Sequence, residues 1–132
     1  MPKVLIVEDD ESIREMMRHV LEIEGYSVSI ANNGKEALDS LNQDSDLPSI
    51  ILLDLMMPVL DGWQFLQEKS KNPKLDRIPV LVVSAAFTER TSSLQCQGLI
   101  KKPINLDYLL SEVSKHTGAT NEITTTDIRK KS

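Results

Sequence analysis

Cysteine is almost missing from this chain: Cys96 is the only one in 132 residues. No internal disulfide can form, and there is no thiolate cluster to hold zinc. A lone thiol of this kind fits a partly buried side chain in a reducing compartment. Long apolar runs are missing too, and none approaches the roughly 20 residues that a membrane span needs. Met1-Pro2-Lys3 passes at once into a short apolar and then acidic stretch, without the longer apolar region of a secretory signal. Basic residues are in deficit, with Lys+Arg 15 against Asp+Glu 20 and a formal net charge of −5. That sign argues against a general nucleic-acid surface, which gains affinity by releasing counterions from phosphates. The expectation is a soluble, cytoplasmic domain that binds neither membrane nor nucleic acid directly.

What is present is the balance of an ordinary globular domain, 40% hydrophobic and 27% charged. The length suits one compact unit and is short for two. Val4-Leu5-Ile6-Val7, Ile50-Ile51-Leu52-Leu53 and Val80-Leu81-Val82-Val83 are continuous apolar runs, and Leu99-Ile100 is a shorter fourth. Continuous rather than alternating runs fit strands covered on both faces, as in a parallel sheet. Ser27-Val28-Ser29-Ile30 alternates, which suits a strand at the edge.

Helical periodicity fills the intervals. Ile13, Met16, Met17, Val20 and Leu21 share a face between Ser12 and Glu24, with Asp10 as an N-cap and Gly25 as a stop. Lys35 to Leu41, Trp63 to Lys69 and Leu106 to Val113 repeat the pattern. Strand–helix alternation in one short chain implies right-handed crossovers and a doubly wound three-layer α/β sandwich. From Thr117 to Ser132 the periodicity lapses into a polar tail, read as disordered, a linker or an artificial remnant. There is no internal repeat.

The residues that follow each apolar run carry the chemistry. Glu8, Asp9 and Asp10 follow the first, Asp54 ends the second, Ser84 ends the third, and Lys101 and Lys102 follow the fourth. In an open parallel sheet, ligands bind beyond the carboxyl ends of the strands, where strand order reverses. Each residue alone has an ordinary explanation: a solvated helix start, a turn before Pro58, a surface lysine. All of them at strand ends converge on one rim. Carboxylates held close repel one another, and Mg²⁺ relieves this with one or two carboxylates, waters and phosphate oxygens. A lysine and a serine can hold the remaining phosphoryl oxygens, and Asp54 can itself be the nucleophile that forms an acyl phosphate.

Val7-Glu8-Asp9-Asp10, Leu53-Asp54-Leu55-Met56-Met57-Pro58 with Asp61-Gly62, Val83-Ser84-Ala85 and Lys102-Pro103 together resemble the signature of response-regulator receiver domains of the chemotaxis-regulator type. The resemblance spans about residues 3 to 116. It implies a flavodoxin-like fold with a five-stranded parallel sheet in the order 2-1-3-4-5 and a receiver domain over 1–116. It implies Asp54 as phosphoacceptor, Glu8 and Asp9 as the acidic pair that holds Mg²⁺, and the Met56 backbone carbonyl as a further ligand. Ser84 and Lys102 are implied as the hydroxyl and ammonium that hold the phosphoryl group. A cis peptide between Lys102 and Pro103 is implied as well. The donor implied is a sensor histidine kinase or a histidine phosphotransfer protein. The recipient of the signal is a downstream protein or an output domain beyond this sequence. Chemistry is then confined to self-phosphorylation and slow autodephosphorylation, so the chain is not expected to be an enzyme with turnover.

Two departures from that pattern stand out. The segment from Ser84 to Lys102 is shorter than usual by about one helical turn, roughly four residues. Its stretch from Ala86 to Gln97 is polar and rich in Thr and Ser, so the fourth helix is expected to be short, distorted or missing. The position three before the lysine, usually aromatic, is Leu99. Met56 and Ala86, two after Asp54 and Ser84, have no side-chain group to orient water, which predicts a long-lived phosphoryl state. Two rival readings are a degenerate receiver that acts as a phosphorylation-independent interaction module, and a metal-dependent phosphatase or phosphotransferase with an Asp nucleophile. The intact carboxylate, serine and lysine set opposes the first. Met56 opposes the second, because it stands where such enzymes need a second acid–base aspartate.

Overall fold

The computed structural model describes residues 2–43, 45–57, 59–85 and 96–118. Five strands form one parallel sheet: β1 Lys3–Val7, β2 Ser27–Ala31, β3 Ile50–Asp54, β4 Val80–Ser84 and β5 Gly98–Lys101. Their spatial order is β2-β1-β3-β4-β5, as the resemblance implies. The edge position of β2 matches its alternating sequence, and its burial is accordingly uneven. β3 and β4 are buried at every position, which is why their sequences are apolar without alternation.

Successive strand residues point to opposite faces, and this splits the apolar runs into two cores. On one face Leu5, Val7, Ile51, Leu53, Val80 and Val82 pack with Ala37, Leu41 and Phe65. These last three belong to the helices α2, Gly34–Gln43, and α3, Gly62–Ser70. On the other face Val4, Ile6, Ile50, Leu52, Leu81 and Val83 pack with Met17, Leu21, Leu109 and Val113. Those come from α1, Glu11–Ile23, and from the C-terminal helix Leu106–Thr117. Leu21 is fully buried, so Leu21→Ala would cost about 2–5 kcal/mol through lost transfer energy and the cavity left behind.

The helix boundaries have local causes. Asp10 caps α1 by accepting the Ile13 N–H at 3.1 Å, and Gly25 beyond its end has φ 98°, a conformation few other residues tolerate. Asp61 caps α3 in a reciprocal box: its carboxylate accepts the Gln64 N–H at 2.9 Å and Gln64 Oε1 accepts the Asp61 N–H at 3.0 Å. Pro73–Asp76 forms a short helix, α4, capped by Asn72 with proline at its start. The Leu106–Thr117 helix, α5, begins at the cap Asn105 and ends at Gly118 with φ 70°. It therefore runs one residue past the expected boundary at 116. The expectations for Pro58, for the body of the Ala86–Gln97 segment and for the tail beyond Gly118 lie outside the described residues.

Candidate functional site: an acidic cleft with one lysine

Strand order reverses between β1 and β3: β1 pairs with β2 on one side and with β3 on the other, and the sheet then grows away through β4 and β5. Crossovers leave a crevice at such a point, beyond the carboxyl ends of the strands. Glu8, the residue after β1, and Asp54, the last of β3, both stand there. Glu8 is 1% exposed and Asp54 4% exposed, a rare condition for carboxylates. Asp9 is exposed, yet carboxylate oxygens of Glu8, Asp9 and Asp54 all lie within 4.8 Å of one another. Asp10 is occupied as the α1 cap, and its N–H donates to Glu8 Oε2 at 3.2 Å.

Lys102 reaches in from beyond β5. Its Nζ lies 3.0 Å from Glu8 Oε1 and 3.5 Å from Asp54 Oδ1. The end of β4 sets its position, because the Lys102 N–H donates to the Ser84 carbonyl at 2.8 Å. The peptide between Lys102 and Pro103 is cis. Ser84 is 2% exposed, in register with Lys101 and one step beyond the Asp54–Val83 pair. Lys101, the other lysine at this strand end, is exposed. Met56 contributes its N–H to Asp54 Oδ1 at 3.3 Å, while its side chain is 68% exposed. Leu99, at the usually aromatic position, is half-buried against the core on the α2–α3 face.

Among the described residues Lys102 is the one cation that touches the carboxylates of Glu8 and Asp54, which with Asp9 leaves the cleft short of positive charge. Burial raises the Glu8 pKa most, and the Asp54 charge adds to this. Together they push it up to about 7 although Lys102 pulls it down. Burial likewise raises Asp54, with Lys102 opposing. Burial alone would lower Lys102, but its two carboxylate partners outweigh this and hold it above the ordinary lysine value. Three oxygen donors in a cleft where burial makes Glu8 and Asp54 resist ionisation suit a hard divalent cation, so Glu8, Asp9 and Asp54 fit Mg²⁺ by the chemistry of the donor set.

The loop from β3 to α3 is pinned so that Asp54 cannot drift. Gly62 N–H donates to the Leu55 carbonyl at 3.0 Å, and Gly34 N–H to the Leu60 carbonyl at 3.1 Å. A Cβ on Gly62 would lie 2.7 Å from Leu55 Cα and 2.9 Å from the Asp54 carbonyl, so the Asp-Gly step at Asp61-Gly62 is a packing requirement.

The family model described as response regulator receiver domain matches residues 4–114. The chain belongs to that family. Response regulator MprA of Mycolicibacterium vanbaalenii is 36% identical over 115 residues, covering 84% of this chain and 48% of the relative. The receiver thus spans about half the length of the curated relatives it matches. Among solved structures, the signal receiver domain of a signal transduction histidine kinase from Syntrophus aciditrophicus superposes with a TM-score of 0.82 at 28% identity, over 97% of this chain and 100% of the other. The phosphorylated cyanobacterial phytochrome response regulator RcpA superposes with a TM-score of 0.77 at 28% identity, over 92% and 96%. This chain is therefore a two-component receiver domain with a flavodoxin-like fold, and among its described residues no helix is long and apolar enough to cross a membrane.

Sequence reasoning passed over one side chain in this cleft. Arg14, on the first full turn of α1, donates from Nη1 to the Glu8 carbonyl at 3.2 Å. The signal was available, since Arg14 stands four residues after the cap Asp10, on the side of the helix that faces the acidic turn.

Proposed function

We propose that this receiver is a phosphorylation-activated switch in which Asp54 accepts a phosphoryl group from a phosphohistidine on a sensor histidine kinase or phosphotransfer protein. The observation that carries the reading is the contact of one lysine with two carboxylates that are almost fully buried at a strand-order reversal. A scaffold gains nothing from repelling carboxylates in a dry cleft, whereas phosphoryl transfer asks a protein mainly for positioning and neutralisation. The phosphorylated state of RcpA, similar to this chain along nearly its whole length, supports the same chemistry here.

In the step, an ionised Asp54 oxygen attacks phosphorus and the phosphorus–nitrogen bond of the donor breaks. The electron pair stays on the imidazole, which takes a proton from solvent, and an acyl phosphate remains on Asp54. Mg²⁺, held by Glu8, Asp9, Asp54 and the Met56 carbonyl, would neutralise the phosphoryl oxygens and favour the ionised Asp54. The Lys102 ammonium then exchanges part of its contact with Glu8 for a phosphoryl oxygen, and the Ser84 hydroxyl donates to another. Met56 N–H continues to hold the acceptor carboxylate in line. Turnover is absent: the protein is phosphorylated once and reverts slowly. The output passes to a downstream protein or to a domain outside this sequence, and the domain works in the cytoplasm.

Intact mass after incubation with acetyl phosphate tests this. One phosphoryl adduct that needs Mg²⁺ and is lost in Asp54→Ala is expected. Folded protein that binds Mg²⁺ and takes no adduct would instead favour a phosphorylation-independent interaction module.

A further inference from the structure

Arg14 is held in an unusual way. Its side chain is only 11% exposed, yet it meets no carboxylate at hydrogen-bonding distance among the described residues. Glu15 Oε2 stands 3.8 Å from Arg14 Nε, and Glu15 is engaged by Arg18 at 3.0 Å. Arg14 Nε is itself buried without a hydrogen-bond partner. Covering a guanidinium costs free energy that only its hydrogen bonds can offset. The contact it does make is from Nη1 to the Glu8 carbonyl, at 3.2 Å.

That carbonyl lies where the chain leaves the sheet. The Glu8 N–H still pairs with the Ala31 carbonyl at 3.1 Å, but the register of β1 with its neighbours ends at Val7. The Glu8 carbonyl belongs to the peptide that joins Glu8 to Asp9, the two acids that face Asp54. Rotation of this peptide plane would swing both carboxylates at once. We propose that Arg14 is a positioning residue for the acid pair: from α1 its guanidinium fixes the Glu8–Asp9 peptide, so that the buried Glu8 and the exposed Asp9 present their oxygens to one cation. The inference rests on the reading of this cleft as a Mg²⁺ site. It assigns Arg14 a geometric role, because the cation in contact with the Glu8 side chain is Lys102.

The test compares wild type, Arg14→Met and Arg14→Lys in two assays. The first is the amide NMR spectrum of the Mg²⁺-free protein. The Asp9 and Asp10 amide resonances move and exchange faster with solvent in Arg14→Met, and return towards wild type in Arg14→Lys, which keeps a donor of similar reach. The second is Mg²⁺ titration followed by the same resonances, with phosphorylation rates across the titration. The Mg²⁺ midpoint weakens about ten- to a hundredfold in Arg14→Met, the usual effect of losing a partner that orients a ligand. The rate at saturating Mg²⁺ stays at the wild-type value. A purely stabilising role would lower the melting temperature and leave the midpoint and the Asp9 amide alone, which overturns the inference. If wild type itself binds no Mg²⁺, the proposed function fails, and the amide comparison still decides the role of Arg14. Should Arg14→Met not fold, Arg14→Gln, polar but too short to reach the Glu8 carbonyl, takes its place with the same expected changes.

Discussion

The ammonium of Lys102 lies 3.0 Å from Oε1 of Glu8, a carboxylate that is 1% exposed. This pair ties the β5 edge of the sheet to the interior strand β1, because Lys102 follows β5 and Glu8 follows β1. It holds one carboxylate charge and leaves that of Asp54 only partly met, at 3.5 Å from the same nitrogen.

A pH dependence follows for the metal-free protein. Glu8 has a folded pKa of about 7 against an ordinary 4.5, so the folded state keeps a proton that the unfolded chain releases. The stability linked to it is complete below about pH 4.5 and is lost as pH rises through about 7. In chelator, the melting temperature should fall between roughly pH 5 and pH 8. Glu8→Gln, which cannot ionise, should flatten that profile, and millimolar Mg²⁺ should restore wild-type stability at the upper end. An unchanged slope in Glu8→Gln would contradict this origin.

Removing the acceptor charge should stabilise the apo domain. Burial disfavours the ionised forms of Glu8 and Asp54, and the Asp54 charge further disfavours ionised Glu8. Asp54→Asn relieves that repulsion, so in chelator near neutral pH its melting temperature should exceed that of wild type. The same variant should bind Mg²⁺ more weakly. A lower melting temperature would mean that Asp54 makes a net favourable ion pair.

Gly62→Ala tests the packing that holds the acceptor strand end. The added methyl would sit 2.7 Å from Leu55 Cα, backbone that cannot turn aside. The expected cost is about 1–3 kcal/mol in denaturant unfolding, the usual range for overpacking. Phosphorylation should slow as well, because the Asp54 carbonyl is only 2.9 Å from the new carbon. A neutral effect would show that the loop between β3 and α3 yields easily.

The phosphoryl state should be long-lived. Met56, two residues after Asp54, carries no group that can orient water. Met56 is 68% exposed, and its N–H, not its side chain, reaches the Asp54 carboxylate. Decay of phosphorylated protein in Mg²⁺, followed by intact mass, should take minutes or more. A half-life of seconds would require a water-positioning group supplied from elsewhere.

Much of this was legible in the sequence because the relevant signals are local. Continuous apolar runs announced β1, β3 and β4, since residues pointing to both faces of a covered sheet must be apolar. Strand ends carrying Glu8, Asp54, Ser84 and Lys102 located the rim, because the topology brings such ends together whatever the loops do. The Pro73–Asp76 helix was missed: four residues are too few for a 3.6-residue period, although Asn72-Pro73 is a sound start signal. Gln97 was also missed. Its side chain accepts the Val80 N–H at 2.6 Å and its N–H donates to the Val80 carbonyl at 2.8 Å, extending the sheet where no apolar pattern exists. Arg14 escaped for a related reason, since a contact from a helix to a strand-end carbonyl leaves no mark on hydrophobic periodicity.

Reductive trapping of the acyl phosphate tests the central claim most directly. The protein is phosphorylated with acetyl phosphate and Mg²⁺, reduced with borohydride, digested and sequenced by mass spectrometry. Conversion of the aspartate at position 54 to homoserine, dependent on both Mg²⁺ and phosphodonor, is the predicted result. An unmodified Asp54, or a borohydride-stable phosphate on another residue such as Ser84, would contradict it.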